Sequence, residues 1–243
     1  MPNIRVDKDE KIKIDSSCTL VLNSDHVEIE YDLKDGDYNI LIFNDHDSSL
    51  ELIEKGKIDN ASVRINYLQL EDYDLKHRNS IEVGKHSELN MFTTYLGVRK
   101  KDIVFDLYNM GSDSSVDIYN NIVCLKDADF SMDCNGIIVA GAKRSKSHQA
   151  THCLTIDDPK RARVLPVLKI DENDVEASHS LASGTIDEEV LFYMNSRGLG
   201  KKEALELILK SYLMPSDDFY EGFEDGKLIQ ERAIRKVEEI CSM

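Results

Sequence analysis

The sequence has no long apolar run. Stretches such as Ile137–Ala140 fall far short of the roughly 20 residues a membrane-spanning helix needs, and the opening Met1-Pro2-Asn3-Ile4-Arg5 lacks the apolar stretch of a signal peptide. A cytoplasmic protein with no membrane partner is the expectation. Basic residues are scarce too: 30 Lys and Arg against 46 Asp and Glu give a formal charge of -16, which argues against nucleic acid as a partner. The five cysteines (Cys18, Cys124, Cys134, Cys153 and Cys241) are odd in number, widely spread and free of any CxxC pair. That excludes both a disulfide framework and a compact zinc site, and leaves free thiols in a reducing compartment.

What is present is a 243-residue chain with 41% hydrophobic residues, enough for one elongated domain with an appendage or for two small domains. Up to about Ile170 it alternates in short runs, among them KIKID (11–15), TLVLN (19–23), VEIEYDL (27–33), YNILIF (38–43) and SVRINYLQL (62–70). A period of two marks half-buried strands. More follow at similar spacing, separated by Gly, Asn, Asp or Ser, and no helical pattern interrupts them. With tryptophan absent and hairpin dipeptides scarce apart from Asp35-Gly36, the runs suit a sandwich or a solenoid that stacks its strands coil upon coil, and the solenoid is preferred.

After Gly184 the period changes. Thr185 and Glu188 read as a capping box, Val190, Leu191 and Met194 line one helical face, and Gly198 can end the helix in the left-handed conformation. A second helix is predicted over about 201–213, burying Ala204, Leu205, Ile208 and Leu209. A third, over about 217–240, is interrupted by Gly222 and Gly226. The expected division is a β-domain over residues 1–180 and a helical domain over 181–243.

The run PVLKIDENDVEASH (166–179), followed by GTIDEEVLFYMNSRG (184–198), resembles the C-terminal signature of the SufB/SufD family of iron-sulfur cluster assembly scaffolds. Gln149 and the strand at Leu154 also fit. The family's Ser-His-Gly-Ala-Thr reads Ser178-His179-Ser180-Leu181-Ala182 here, and strand patterning starts within the first fifteen residues, where larger members carry a helical region.

The resemblance implies a mainly β protein, a right-handed parallel β-helix followed by a small α-helical domain. It implies a scaffold subunit, not an enzyme, that pairs with an identical chain or a SufB/SufD paralogue, binds the SufC ABC-type ATPase through its helical domain and carries a transient iron-sulfur cluster. The second predicted helix, with Leu205, Ile208, Leu209 and Tyr212, is the expected ATPase contact. The chain has no GxxxxGK[ST] motif, so it would not bind ATP itself.

Within that resemblance His179 matches the SufD-type histidine at the interface of paired β-helices, where a neutral imidazole can ligate iron. The SufB cysteine position falls on Thr151. Cys153, two residues on and on the same face of a strand, is the displaced candidate for a sulfur or metal ligand, with His152 pointing the other way. Cys124 and Cys134, on neighbouring strands, are expected near one another; core packing is the first reading for both, and a relay of persulfide sulfur from a cysteine desulfurase the second. Cys18, in a turn-like Ser16-Ser17-Cys18 context, and Cys241 are read as incidental. His46 with Asp45 and Asp47, and His77, Arg78 and His86, are read as surface groups, and Glu188 and Glu189 as first-turn acids. The alternatives are a polysaccharide-processing β-solenoid enzyme, which needs acids on successive coils, or a β-rich interaction module.

Overall fold

The computed structural model describes residues 1–45, 48–214, 220 and 222–241. Two all-parallel sheets run the length of a β-solenoid. One is eight-stranded and contains β1 (Asn3–Val6), β3 (Cys18–Leu22), β5 (Asp37–Asn44), β7 (Ser62–Gln69), β9 (Glu88–Gly97), β11 (Ser115–Cys124), β13 (Ser145–Thr155) and β15 (Val175–Thr185). The other is seven-stranded and contains β2 (Glu10–Ile14), β4 (His26–Lys34), β6 (Leu50–Asp59), β8 (Leu75–Val83), β10 (Lys100–Asn109), β12 (Asp129–Ile138) and β14 (Arg161–Ile170). Each strand pairs with the strand two positions on, so every coil lies directly on the one before it.

Register turns the period of two into columns of side chains. Val63 lies under Leu89 and Leu89 under Val116, while Ile65, Met91 and Ile118 form the next inward column. The intervening residues face out. At the corner from the seven-stranded to the eight-stranded sheet, Asp35, Asn60, His86, Asp113 and Arg144 all take positive φ, between 50° and 58°. Each donates its backbone N–H to the next coil, as from Asp113 to the Lys143 carbonyl at 2.9 Å. Asp and Asn accept this conformation more readily than other non-glycine residues, which is why they recur at the turns.

Three departures from the sequence reading have clear causes. β15 continues the sheet to Thr185, because pairing with β13 holds a segment too poor in apolar residues to announce itself as a strand. Thr185 is therefore a strand residue, and Asp187 caps the first helix through its side chain to Glu189 N at 2.8 Å. Cys18 opens β3 and is buried in the core, not in a turn. His77 is also buried, not on the surface; His86 does lie at an exposed corner, while His46 and Asp47 fall outside the described residues.

Helices α1 (Glu188–Ser196), α2 (Lys201–Leu213) and α3 (Gly226–Ile240) follow. The third begins later than predicted, at Gly226, whose missing side chain is needed because a Cβ there would lie 2.4 Å from the Tyr220 carbonyl oxygen. The helices are not a separate body. Leu209, Leu213, Ile229, Ala233 and Val237 share one apolar cluster with Phe43, Leu68, Leu70, Leu96, Val123 and Leu154 of the solenoid flank. Arg232 bridges Asp45 and Glu71 along the same seam. Removing residues 185–243 would expose that row of solenoid side chains, each contributing about 1.5–3 kcal/mol by its burial.

The core also contains a charged group. The Glu54 carboxylate is 1% exposed and accepts four hydrogen bonds, from Tyr31 Oη (2.5 Å), Tyr67 Oη (2.8 Å), His77 Nε2 (2.5 Å) and Asn79 Nδ2 (3.0 Å). His77 Nδ1 meets Tyr95 Oη at 3.0 Å. Burial pushes the Glu54 pKa up, but the hydrogen bonds and charge of His77, with the bonds from Tyr31 and Asn79, outweigh it and hold the carboxyl below its ordinary value. Glu54→Ala should cost about 3–5 kcal/mol in urea unfolding, since it strands buried donors. The Glu54 contribution in the wild type should be complete above pH 4.5, the ordinary value, and lost as pH falls through the lower folded value. A Glu54→Gln chain should lack that part of the acid-unfolding curve.

Candidate functional site at the open end of the solenoid

The last strands of the two sheets, β14 and β15, have neighbours on one side only, β12 and β13 respectively. Each therefore presents a row of unpaired backbone N–H and C=O groups. Register sets their inward faces: Val164 over Met132, Pro166 over Cys134 and Leu168 over Gly136 on one wall. On the other wall, Ala177 lies over Ser147, His179 over Gln149, Leu181 over Thr151 and Ser183 over Cys153. The same columns are sealed in the coils below, but here Ile170 and Leu181 are each 42% exposed and His179 is exposed. Nothing among the described residues covers this end.

Beneath the rim the character of the interior changes. β11 directs Val116, Ile118, Asn120, Ile122 and Cys124 inward, whereas the inward positions of β13 are Ser145, Ser147, Gln149, Thr151 and Cys153, so polar residues replace Val116 and Ile118. Thr151 accepts a hydrogen bond from Asn120 Nδ2 at 3.0 Å, and Asn120 Oδ1 accepts one from Thr93 at 2.7 Å. Thr151, where the resemblance would put the SufB cysteine, is thus an ordinary partner in a buried chain of polar groups. The strip of four polar residues before Cys153 is legible in SKSHQATHCLT once its alternation is read inward, but the apolar pattern that locates strands passes over it.

Cys153 is 2% exposed. Its thiol neighbour is Cys124 on β11; Cys134 is on the seven-stranded sheet, beside Asn120, and both Cys124 and Cys134 are packed in the core, as their first reading had it. The hydrogen bond from Cys124 holds the Cys153 thiol below its ordinary pKa against the effect of burial, with Ser183 assisting, and the same bond followed by burial pushes Cys124 up. Burial raises Cys134 to about 12.

His179 and Cys153 are not brought together. His179 lies over Gln149, four residues from Cys153, so the two sit about 13 Å apart along the strand direction. Among the described residues no cluster of three or more His, Cys, Asp or Glu could hold a metal ion. His152 is exposed on the outer face, and His148 Nδ1 bonds Ser178 Oγ there at 2.8 Å. The outward acids of the seven-stranded sheet form rung-to-rung ion pairs such as Lys11–Glu30, Arg78–Asp102 and Arg161–Asp129, which gives no support to a row of catalytic acids. No helix among the described residues is long and apolar enough to cross a membrane.

A profile of the SufBD core domain of the SUF system for iron-sulfur cluster assembly matches residues 39–212. The chain belongs to the SufBD family. It is 29% identical over 201 residues to an iron-sulfur cluster assembly SufBD family protein of Pyrococcus horikoshii, covering 70% of this chain and 45% of that protein. It is 29% identical over 139 residues to the iron-sulfur cluster assembly protein SufD of Bacillus subtilis, covering 56% of this chain and 29% of that one. A SufBD family protein of Methanothermobacter thermautotrophicus is 31% identical over 134 residues, covering 54% and 32%. The alignments thus span less than half the length of each of these curated relatives.

Thiol burial gives a direct check on this SufBD core. Brief iodoacetamide treatment of the native chain should label Cys241, which is partly exposed, ahead of the four buried thiols, and peptide mass spectrometry would read the order. Early labelling of Cys153 or Cys124 would mean that the last coil is not closed over them as described.

Proposed function

We propose that this chain is a non-ATPase scaffold subunit on which an iron-sulfur cluster is assembled, paired end to end with an identical chain or a SufB/SufD paralogue. The observation that carries the reading is the open end. Two unpaired strand edges and the uncovered inward faces of β14 and β15 form one continuous surface, and a second solenoid presenting the same surface would complete both sheets and cover both interiors. His179 stands at that seam, where it could ligate cargo iron together with groups from the partner. Cys153 serves the sulfur side from below the rim, separately from His179. A cysteine desulfurase would supply that sulfur.

The helical region is the proposed contact for a SufC-type ATPase. Of the apolar residues of α2 singled out in the sequence, Leu209 is buried in the seam with the solenoid, and Leu205, Ile208 and Tyr212 pack partly buried against it. The most exposed aromatic side chains of the helices lie on α1, none of whose residues is buried: Phe192 is 76% and Tyr193 58% exposed, while α2 and α3 each expose a leucine, Leu207 and Leu228. Aromatic side chains of this kind anchor protein interfaces.

Replacing His179 with Ala should leave urea stability within about 0.5 kcal/mol, as for an exposed residue. Cluster yield after anaerobic reconstitution with iron and sulfide should fall sharply, and a wild-type yield would remove the ligand role. Phe192→Ser with Tyr193→Ser should abolish co-purification with the ATPase while leaving the circular dichroism spectrum unchanged. Retained binding would move the contact off α1. Point changes are the right tool here, because deleting the helices would also strip the solenoid flank.

A further inference from the structure

The polar strip on β13 contains two groups that the fold leaves unused. Gln149 is 3% exposed and Ser147 1% exposed, yet Gln149 Oε1 and Ser147 Oγ have no hydrogen-bond partner. The amide orientation is fixed, since Gln149 Nε2 donates to the Val167 carbonyl at 3.2 Å, so the free atom is the acceptor oxygen. Space for both is made deliberately: a Cβ on Gly136 would lie 2.6 Å from Ser147 Oγ and 2.8 Å from Gln149 Nε2. In the coils below, the same two columns are apolar, with Val116, Leu89 and Val63 in line with Ser147, and Ile118, Met91 and Ile65 in line with Gln149.

Buried polar side chains are almost always paired, and an apolar pair would have continued the columns at no cost. In these two columns, the change from apolar to polar comes at the coil directly beneath His179, which lies over Gln149 in register. An amide oxygen offers only acceptor lone pairs and a hydroxyl can do the same, so together with an imidazole nitrogen they suit a hard or borderline divalent cation or the waters bound to it, and not an anion such as hydrosulfide. The formal charge of -16 favours the same sign.

We infer that Gln149, with Ser147, forms the floor of a binding site for a hydrated divalent cation at the mouth of the solenoid, holding its waters beneath the His179 imidazole. Gln149 is a positioning residue in this site, and the inference rests on the reading of His179 as an iron ligand. It adds an entry point for ferrous iron on this chain, distinct from the buried thiols.

The test is anaerobic titration of the full chain with Co(II), followed by visible absorbance and calorimetry, with thermal melting in parallel. Gln149→Met removes the free acceptor and keeps the length, whereas Gln149→Glu keeps an acceptor oxygen. The Met variant should bind Co(II) about tenfold or more weakly, as when a group behind a ligand is lost, and the Glu variant should bind at least as tightly as wild type. Melting of the Met variant should not fall in proportion. Unchanged Co(II) affinity in Gln149→Met, with binding lost in His179→Ala, overturns the floor while leaving the scaffold reading intact. Unchanged affinity in both variants, or no Co(II) binding by the wild type, overturns the floor and the ligand role of His179 together. Should Gln149→Met fail to fold, Ser147→Ala, which removes a single unpartnered oxygen, decides in its place: a measurable loss of affinity supports the floor, and wild-type affinity overturns it.

Discussion

Everything in this molecule depends on one coil lying in register on the next. Parallel pairing places each inward side chain on its counterpart, so the core is a set of columns, and a residue is buried only because another coil follows. Corner residues serve the same constraint, passing one backbone hydrogen bond from coil to coil through a left-handed position even where the residue is an arginine, Arg144. A stack of this kind can be extended but cannot close on itself. The open end is therefore intrinsic to the architecture, and what distinguishes this chain is the chemistry placed there.

The fold was largely legible because the strands that build the columns carry strong alternation. SVRINYLQL, read at 62–70, is β7 at 62–69, and the other quoted runs differ from their strands by one residue at either end. β15 was missed as a strand because its residues are small and polar, and its conformation comes from β13 and not from itself. His77 was misplaced for the opposite reason: a histidine beside an arginine looks solvated, and only the stacking of β6 on β8 shows that Glu54 waits for it.

At the candidate site, the sequence supplied His179 and Cys153 through family resemblance, and both lie on inward positions of the final coils. Their separation along the strands was not legible, nor was the closeness of Cys153 to Cys124, since both follow from the register of the last coils, in which Cys153 lies over Ile122, two residues from Cys124. Sequence proximity suggested Cys124 and Cys134 instead, but ten residues of a solenoid carry the chain to the opposite sheet. The polar strip on β13 could have been read, had the question been which inward positions fail to be apolar.

The seam between α3 and the solenoid reaches from Arg232 back to Asp45, a separation of 187 residues. Neighbouring coils can assemble in order as the chain leaves the ribosome, each on the one already formed, with modest loop closure at every step. The flank formed by Phe43, Leu68, Leu96 and Val123 has to wait, uncovered, until α2 and α3 have been made. During synthesis the nascent protein is thus a growing stack with an apolar stripe along its side, the part of its life in which it is most exposed to aggregation and to the attention of chaperones.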